Sequence, residues 1–327
     1  MKIKNNYLKY IAVILAVLFL ITASITVINI WENSYGTFSS SEMEDDVLEY
    51  NGKEYALKDN IQTFLVLGLD KYMGESTSES HESGSVQADF LMLFVFDNNS
   101  KQITAIHINR DTMTKVNRLD VVGNKIGVEN KQIALAYNHA YDKQGRVNCR
   151  NTADSVSELL MDIKIDHYIS LTMDSVIEIN DMVDGVEVTV LDDFTGIDEN
   201  LVKGEKTTLK GEQSLKYVRT RQGLEDSTNS TRMLRQQQYV DALLSKMISC
   251  VESDDEFILR LADRLKPYLD YDSTEFRLKE FAEKFDNYEF VGIREIEGES
   301  KVGEFVEFYP NKDSICKLVI DLFYKQK

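Results

Sequence analysis

Ala88-Asp89-Phe90-Leu91-Met92-Leu93-Phe94-Val95-Phe96-Asp97 is a ten-residue run whose interior is wholly apolar between two aspartates. A strand with one wet face alternates polar and apolar residues, so a short run without alternation reads as a strand buried on both sides. Asn98-Asn99-Ser100 follows directly and supplies a turn signal. Two runs of the same character flank it, Ile61–Leu69 (IQTFLVLGL) and residues 103–108 (ITAIHI). Together they predict the middle of a sheet covered on both faces.

Working outward, the apolar period becomes helical over residues 130–142 and 151–163. A strand (165–171), a helix (174–183) and a strand (185–191) follow, with Asp184-Gly185 as the turn between the last two. This alternation is the signature of a layered α/β domain. Upstream, residues 47–50 and 53–57 read as a hairpin closed by Asn51-Gly52. Downstream come helices over 256–265, 273–285 and 312–324, with strands at 290–296 and 303–308. The Ser- and Gly-rich stretch 71–87 reads as a loop, and no linker forces a second domain within 47–327.

At the amino terminus, residues 11–30 are almost wholly apolar; at 1.5 Å per residue they reach roughly 30 Å, enough to span a bilayer core. Lys2, Lys4 and Lys9 precede this run and no Lys or Arg follows until Lys53. The expectation is a retained membrane anchor, with residues 1–10 cytoplasmic, 31–46 a polar stalk and 47–327 outside the cell. The apolar run is longer than a signal-peptide core. The chain carries a formal net charge of -18, which argues against nucleic acid as a partner. Cys149, Cys250 and Cys316 are widely spaced and contain no CxxC, so they read as neither a disulfide framework nor a zinc site.

Against that acidic background, Arg219, Arg221, Arg232 and Arg235 fall within 17 residues. Asn229, Ser230 and Thr231 are candidate N-caps, and Met233, Val240, Leu243, Leu244, Met247 and Ile248 recur at helical intervals, so a helix is expected to start near residue 230. Arg232 and Gln236 then share one face in its first two turns, with Arg235 beside them, where backbone N–H groups and the helix dipole favour an anion. Guanidinium forks suit phosphate oxygens. The plainer alternative is a solvated surface network with Glu225 and Asp226. Asp70 follows the first strand, Asp89 opens the second, and Arg110-Asp111 follows the third. Asp89 joins the other two only if its strand runs antiparallel to theirs. Carboxylates among arginines suit an anion when Mg2+ bridges them, since Mg2+ is commonly held by one or two carboxylates plus substrate phosphates. His107, inside an apolar strand, and His139 read as packing or positioning residues. No nucleophile elbow, Walker loop, HExxH or Gly-rich dinucleotide turn is present.

The order of these segments resembles the LytR-CpsA-Psr family of cell-envelope glycopolymer transferases. The resemblance rests on LVLGLD (65–70), QADFLMLFVFD (87–97), INRDT (108–112), YNHAYDKQG (137–145), MVDGVEVTV (182–190), LKGEQSLKYVRTR (209–221) and TRMLRQQQ (231–238), and it covers about residues 47–327. It implies an α/β fold, a three-layer α/β/α sandwich with a central mixed sheet, behind one N-terminal transmembrane helix. It also implies an enzyme, a phosphotransferase that moves a teichoic acid, capsular or related polymer from an undecaprenyl pyrophosphate carrier to peptidoglycan. The pyrophosphate would lie against Arg110, Arg219, Arg221, Arg232 and Gln236, near Gln87 and Arg235. Mg2+ would be held by Asp70 or Asp89, Asp89 would be a candidate general base, and the lipid tail would fill an apolar pocket between sheet and helices.

Three positions depart from the pattern of that family, which usually has Arg where this chain has Gln87, Pro where it has Asn109 and an acid where it has Asn229. They keep two other readings open: a regulatory protein that binds polyprenyl phosphate with little or no turnover, and a lipid pyrophosphate hydrolase.

Overall fold

The computed structural model describes residues 47–71, 86–137, 146–221, 223–224, 229–254, 256–271 and 288–327. Residues 1–46, with the expected anchor and stalk, lie outside the described residues. So do His81, His139, Glu225, Asp226 and the helix expected over 273–285. No helix among the described residues is long and apolar enough to cross a membrane.

The chain opens with the hairpin β1 (Val47–Tyr50) and β2 (Lys53–Leu57), and Asn51 and Gly52 both take the positive φ that a tight hairpin turn requires. Next come β3 (Ile61–Leu69), β4 (Ala88–Asp97) and β5 (Gln102–Ile108), which form the heart of the domain. A hairpin of β6 (Met113–Leu119) and β7 (Lys125–Gln132) leads through a short 3-10 turn (Ile133–Tyr137) to α1 (Arg146–Leu159). Then follow β8 (His167–Leu171), α2 (Asp174–Met182), β9 (Val186–Thr189), β10 (Lys206–Leu209) and α3 (Glu212–Arg219). The long helix α4 (Ser230–Ser253) and α5 (Phe257–Leu265) precede β11 (Leu269–Tyr271) and β12 (Glu289–Glu295). The hairpin of β13 (Gly298–Val302) and β14 (Val306–Pro310), α6 (Lys312–Phe323) and β15 (Tyr324–Gln326) close the chain.

The central sheet has the order β11-β8-β3-β4-β5-β12. It is mixed: β3 and β5 are both antiparallel to β4, while β8 and β12 run parallel to β3 and β5 respectively. The absence of alternation in the opening stretch now has its cause. Met92, Phe94 and Phe96 enter a core with Tyr239, Leu244 and Leu261, on the face covered by α2 to α5. Leu91, Leu93 and Val95 enter a second core with Val156, Leu318 and Phe323, on the face covered by α1 and α6. The result is the three-layer α/β/α arrangement, with apolar surface removed from water on both sides of one sheet.

Several expectations on the elements need correction. Residues 130–132 belong to β7 and 133–137 form a 3-10 turn rather than the start of a helix. The buried Ile133, Ala134, Ala136 and Tyr137 produce the apolar spacing that resembles one. The helix expected over 151–163 lies at 146–159, and Met161 and Asp162 in the left-handed region close it. The strand expected at 303–308 lies at 306–310 as β14, with 303–305 forming the turn that joins it to β13. No element is expected between residues 191 and 229, where β10 and α3 stand.

Candidate active site

Because β4 runs against both neighbours, the residues after β3 and β5 and the first residues of β4 meet at one end of the sheet. Asp70, Asp89 and Arg110 therefore share that end. The Asp70 N–H donates to the Gln87 carbonyl at 2.8 Å, which holds the end of β3 against the approach to β4. Arg110 rides on a turn organised by Asn109, whose Oδ1 accepts from the Asp111 N–H at 3.0 Å while its carbonyl accepts from the Thr112 hydroxyl at 2.6 Å.

From this turn Arg110 donates through Nη1 to Asp89 Oδ1 and through Nη2 to Gln87 Oε1. Its Nε lies 3.3 Å from Asp111 Oδ1. The other carboxylate oxygen of Asp89, Oδ2, is 3.3 Å from Arg232 Nη1. Asp111 Oδ2 faces Arg221 Nη1 at 4.0 Å, and Asp70 Oδ1 accepts from Arg219 Nη2 at 3.1 Å. Four guanidinium groups thus meet three carboxylates. Arg110 and Arg232 form the buried inner pair; Arg219 and Arg221, on and just after the last turn of α3, form a wetter outer pair.

Arg232 is 4% exposed. Burial, aided by the neighbouring charges of Arg110 and Arg221, lowers its pKa to about 10, so it stays charged at neutral pH. Its Nε donates to Asn229 Oδ1 at 2.7 Å. Its Nη2 is buried and has no hydrogen-bond partner among the described residues. An orphaned, charged, buried donor is costly and therefore marks a place for an acceptor. Burial raises the Asp111 carboxyl above its ordinary range while the surrounding arginines pull it down. His107 lies beneath the cluster, fully buried, its ring 5.1 Å from that of Phe90. Burial and then the Arg232 charge depress it to about 3, so it is neutral, the packing role expected of it.

Behind the arginines opens an apolar cavity of about 190 Å³ between the sheet and α2 to α5. Asp89, Arg219, Arg232 and Gln236 line it at one end and Met247, Leu261 and Leu265 at the other. Helix α4 forms its long wall: from Arg232 to Met247 the lining residues recur every three or four positions, a length of about 22 Å. Gln236 is anchored at the mouth by donating to the Val218 carbonyl at 3.2 Å.

Arg235 does not join this cluster. It is fully buried, with Nε 3.0 Å from Asp192 Oδ2 and Nη1 donating to the Tyr217 carbonyl at 2.9 Å. It also donates to the Thr220 carbonyl and lies 5.2 Å from the Phe194 ring. Its contacts fix the segment between Arg219 and Arg221. Sequence reasoning named neither Asp192 nor the turn made by Asn109, and it gave Asn229 as a candidate N-cap but not as the partner of Arg232; Asn-Arg-Asp at a strand end carries the one usable signal, that of an Asx turn. Cys149, Cys250 and Cys316 are thiols that form no disulfide.

The two aspartates can be tested as a cation site by their chemistry. Among the described residues no group of three or more His, Cys, Asp or Glu gathers. Asp70 and Asp89 stand at the same end of the sheet, with Asp70 Oδ1 engaged by Arg219 and both oxygens of Asp89 by Arg110 and Arg232, so they would offer hard oxygens to Mg2+ only where phosphate oxygens take over those guanidinium groups.

Residues 26–315 match the sequence profile of the LytR_cpsA_psr family. A relative from Enterococcus faecalis, named polyisoprenyl-teichoic acid--peptidoglycan teichoic acid transferase TagU, is 27% identical over 262 residues, covering 79% of this chain and 78% of its own length. Biofilm regulatory protein A of Streptococcus mutans is 26% identical over 251 residues, 74% of this chain, and this chain spans 58% of that relative's length. The crystal structure of B. subtilis TagV superposes with a TM-score of 0.56 at 21% identity, covering 81% of this chain and 97% of that one, a likeness of fold.

Proposed function

The chain belongs to the LytR_cpsA_psr family, and on that premise we propose that it transfers a glycopolymer from an undecaprenyl pyrophosphate carrier to a peptidoglycan hydroxyl. The observation that carries this reading is the convergence of Arg110, Arg219, Arg221 and Arg232 at the mouth of an apolar cavity. A headgroup of two phosphates on a long hydrocarbon needs both features at once. Teichoic acid is the polymer favoured by the name of the Enterococcus faecalis relative.

In the proposed reaction the acceptor hydroxyl oxygen forms a bond to the polymer-side phosphorus. The bond from that phosphorus to the bridging oxygen breaks, the polyprenyl monophosphate leaves with its electron pair, and the hydroxyl proton passes to a base. Such a transfer depends mainly on positioning and on neutralising spread negative charge. Arg232 and Arg110 would grip the diphosphate from inside, and Arg219 and Arg221 from the solvent side. As phosphate oxygens take over these N–H groups, Asp89 loses its guanidinium partners and becomes free to accept the hydroxyl proton. Mg2+, when held by Asp70 or Asp89 and by phosphate oxygens, would supply further neutralisation of the charge that gathers on the leaving monophosphate. The expected anchor, residues 11–30, would place this domain outside a bacterial cell membrane, with the N-terminus cytoplasmic.

The test is the full chain in detergent with a polyprenyl pyrophosphate-linked sugar polymer and a peptidoglycan acceptor. Transfer that disappears in Arg110→Ala supports the reading; no transfer by the unaltered chain removes it. A second reading, a polyprenyl-phosphate-binding regulator, is favoured by the double engagement of Asp89 and by the name of the Streptococcus mutans relative. Lipid binding without product would select it, and release of lipid monophosphate with water as acceptor would select a hydrolase.

A further inference from the structure

The side chains at the inner end of the site close into a ring. Asn109 Oδ1 accepts from Asn229 Nδ2 at 2.9 Å, Asn229 Oδ1 accepts from Arg232 Nε at 2.7 Å, Arg232 and Arg110 share Asp89, and Arg110 follows Asn109 in the chain. The ring joins the turn after β5, the start of β4 and the start of α4. Both amides are buried, Asn229 at 2% exposure and Asn109 at 7%.

The chemistry of the donors fixes how the two amides point. Arg232 Nε only donates, so it must face the oxygen of Asn229. The Asp111 N–H only donates, so it must face the oxygen of Asn109. Between them Asn229 has to accept on one side and donate on the other. A carboxylate at 229 accepts on both sides and would set one oxygen against Asn109 Oδ1, acceptor to acceptor.

We propose that Asn229, oriented by Asn109, is a positioning residue that presents the unpartnered Nη2 of Arg232 to the anionic headgroup. The proposal rests on the reading that the site takes a pyrophosphate. It assigns Arg232 as preset for the ligand: its Nε and Nη1 are held by the ring, and its Nη2 is buried with no hydrogen-bond partner among the described residues.

The experiment measures the affinity of the full chain in detergent for farnesyl pyrophosphate and for inorganic pyrophosphate, together with the Tm of each variant. Asn229→Asp, nearly the same shape, is expected to raise both dissociation constants by about tenfold or more, the scale of one hydrogen bond to a charged group. Asn229→Ala is expected to raise them less, since it releases Arg232 Nε without setting a second acceptor against Asn109 Oδ1. Asn109→Ala combined with Asn229→Ala is expected to cost no more than Asn229→Ala alone, because the two act through one contact. Should Asn229→Asp fail to fold, Asn229→Ala carries the test, and an unchanged affinity there overturns the proposal. Variants that lower Tm while binding both probes like the unaltered chain likewise reduce the pair to scaffolding and overturn it. If the unaltered chain binds neither probe, the pyrophosphate reading itself falls and takes this proposal with it; binding by the unaltered chain with an indifferent Asn229→Asp sinks the positioning role alone.

Discussion

Arg232 and Arg235 stand three positions apart on α4, only about 60° apart around its axis, yet the structure gives them different partners. Arg232 keeps one donor free at the cavity, whereas Arg235 is consumed by Asp192, Tyr217 and Thr220. Arg232→Lys retains charge but loses the planar fork, and should weaken binding of a prenyl pyrophosphate by about tenfold with little change in Tm, as calorimetry would read. Arg235→Met leaves Asp192 without its partner and should lower stability by about 3 kcal/mol in urea denaturation, with a smaller effect on affinity in the protein that remains folded. His107 gives a pH signature. Its folded pKa of about 3 lies below the ordinary 6.5, so as pH falls through 6.5 the unfolded chain takes up a proton that the folded chain refuses. Stability present above pH 6.5 is therefore lost toward pH 3, by about 1.4 kcal/mol per unit. His107→Gln should flatten that slope in denaturation midpoints measured between pH 7 and 5. Sequence alone displayed the charged partners Asp70, Asp89, Arg110 and Arg232, because an arginine cluster in an acidic chain is conspicuous. It could not separate Arg232 from Arg235, whose difference lies in their partners and depends on which surface of α4 meets Asp192.

At the scale of elements, α4 has two tasks, one at its first turn and one along its length. The first turn carries Arg232 and Gln236 to the mouth; the stripe through Val240, Leu243, Leu244 and Met247 walls the cavity. Val240→Trp should fill the cavity beyond the mouth. The expected outcome is loss of farnesyl pyrophosphate binding by at least about tenfold, the scale of several buried methylenes, with inorganic pyrophosphate binding retained. Equal loss of both ligands would show that the stripe serves packing alone. The apolar period of this helix was legible together with its start near residue 230. Helix α3 escaped because it is eight residues long, with a mostly polar sequence around Leu215, Tyr217 and Val218. The β6–β7 ribbon escaped for a related reason: Thr114 and Val116 are the buried positions of β6, too few to make an apolar run.

Across the whole molecule the twin cores explain why the sheet was readable and the ends were not. Strands buried on both faces advertise themselves, whereas β15 is three residues long and takes its place by pairing with β2. Through that pairing the last residues of the chain clasp the first described ones, and the Lys327 N–H donates to the Glu54 carbonyl at 3.0 Å. Deleting residues 324–327 should cost about 1 to 2 kcal/mol, the net value of a few backbone hydrogen bonds, and lower Tm without changing ligand affinity. The clasp leads into β3 at Ile61, while Asp70 and the arginines stand beyond its far end at Leu69, about 26 Å away along the strand. That strand works as a fixed spacer. In the tethered protein proposed above, adding or removing residues before Val47 would raise or lower the grip as one rigid piece, setting how far from the bilayer an acceptor can be reached while the affinity for the headgroup stays the same.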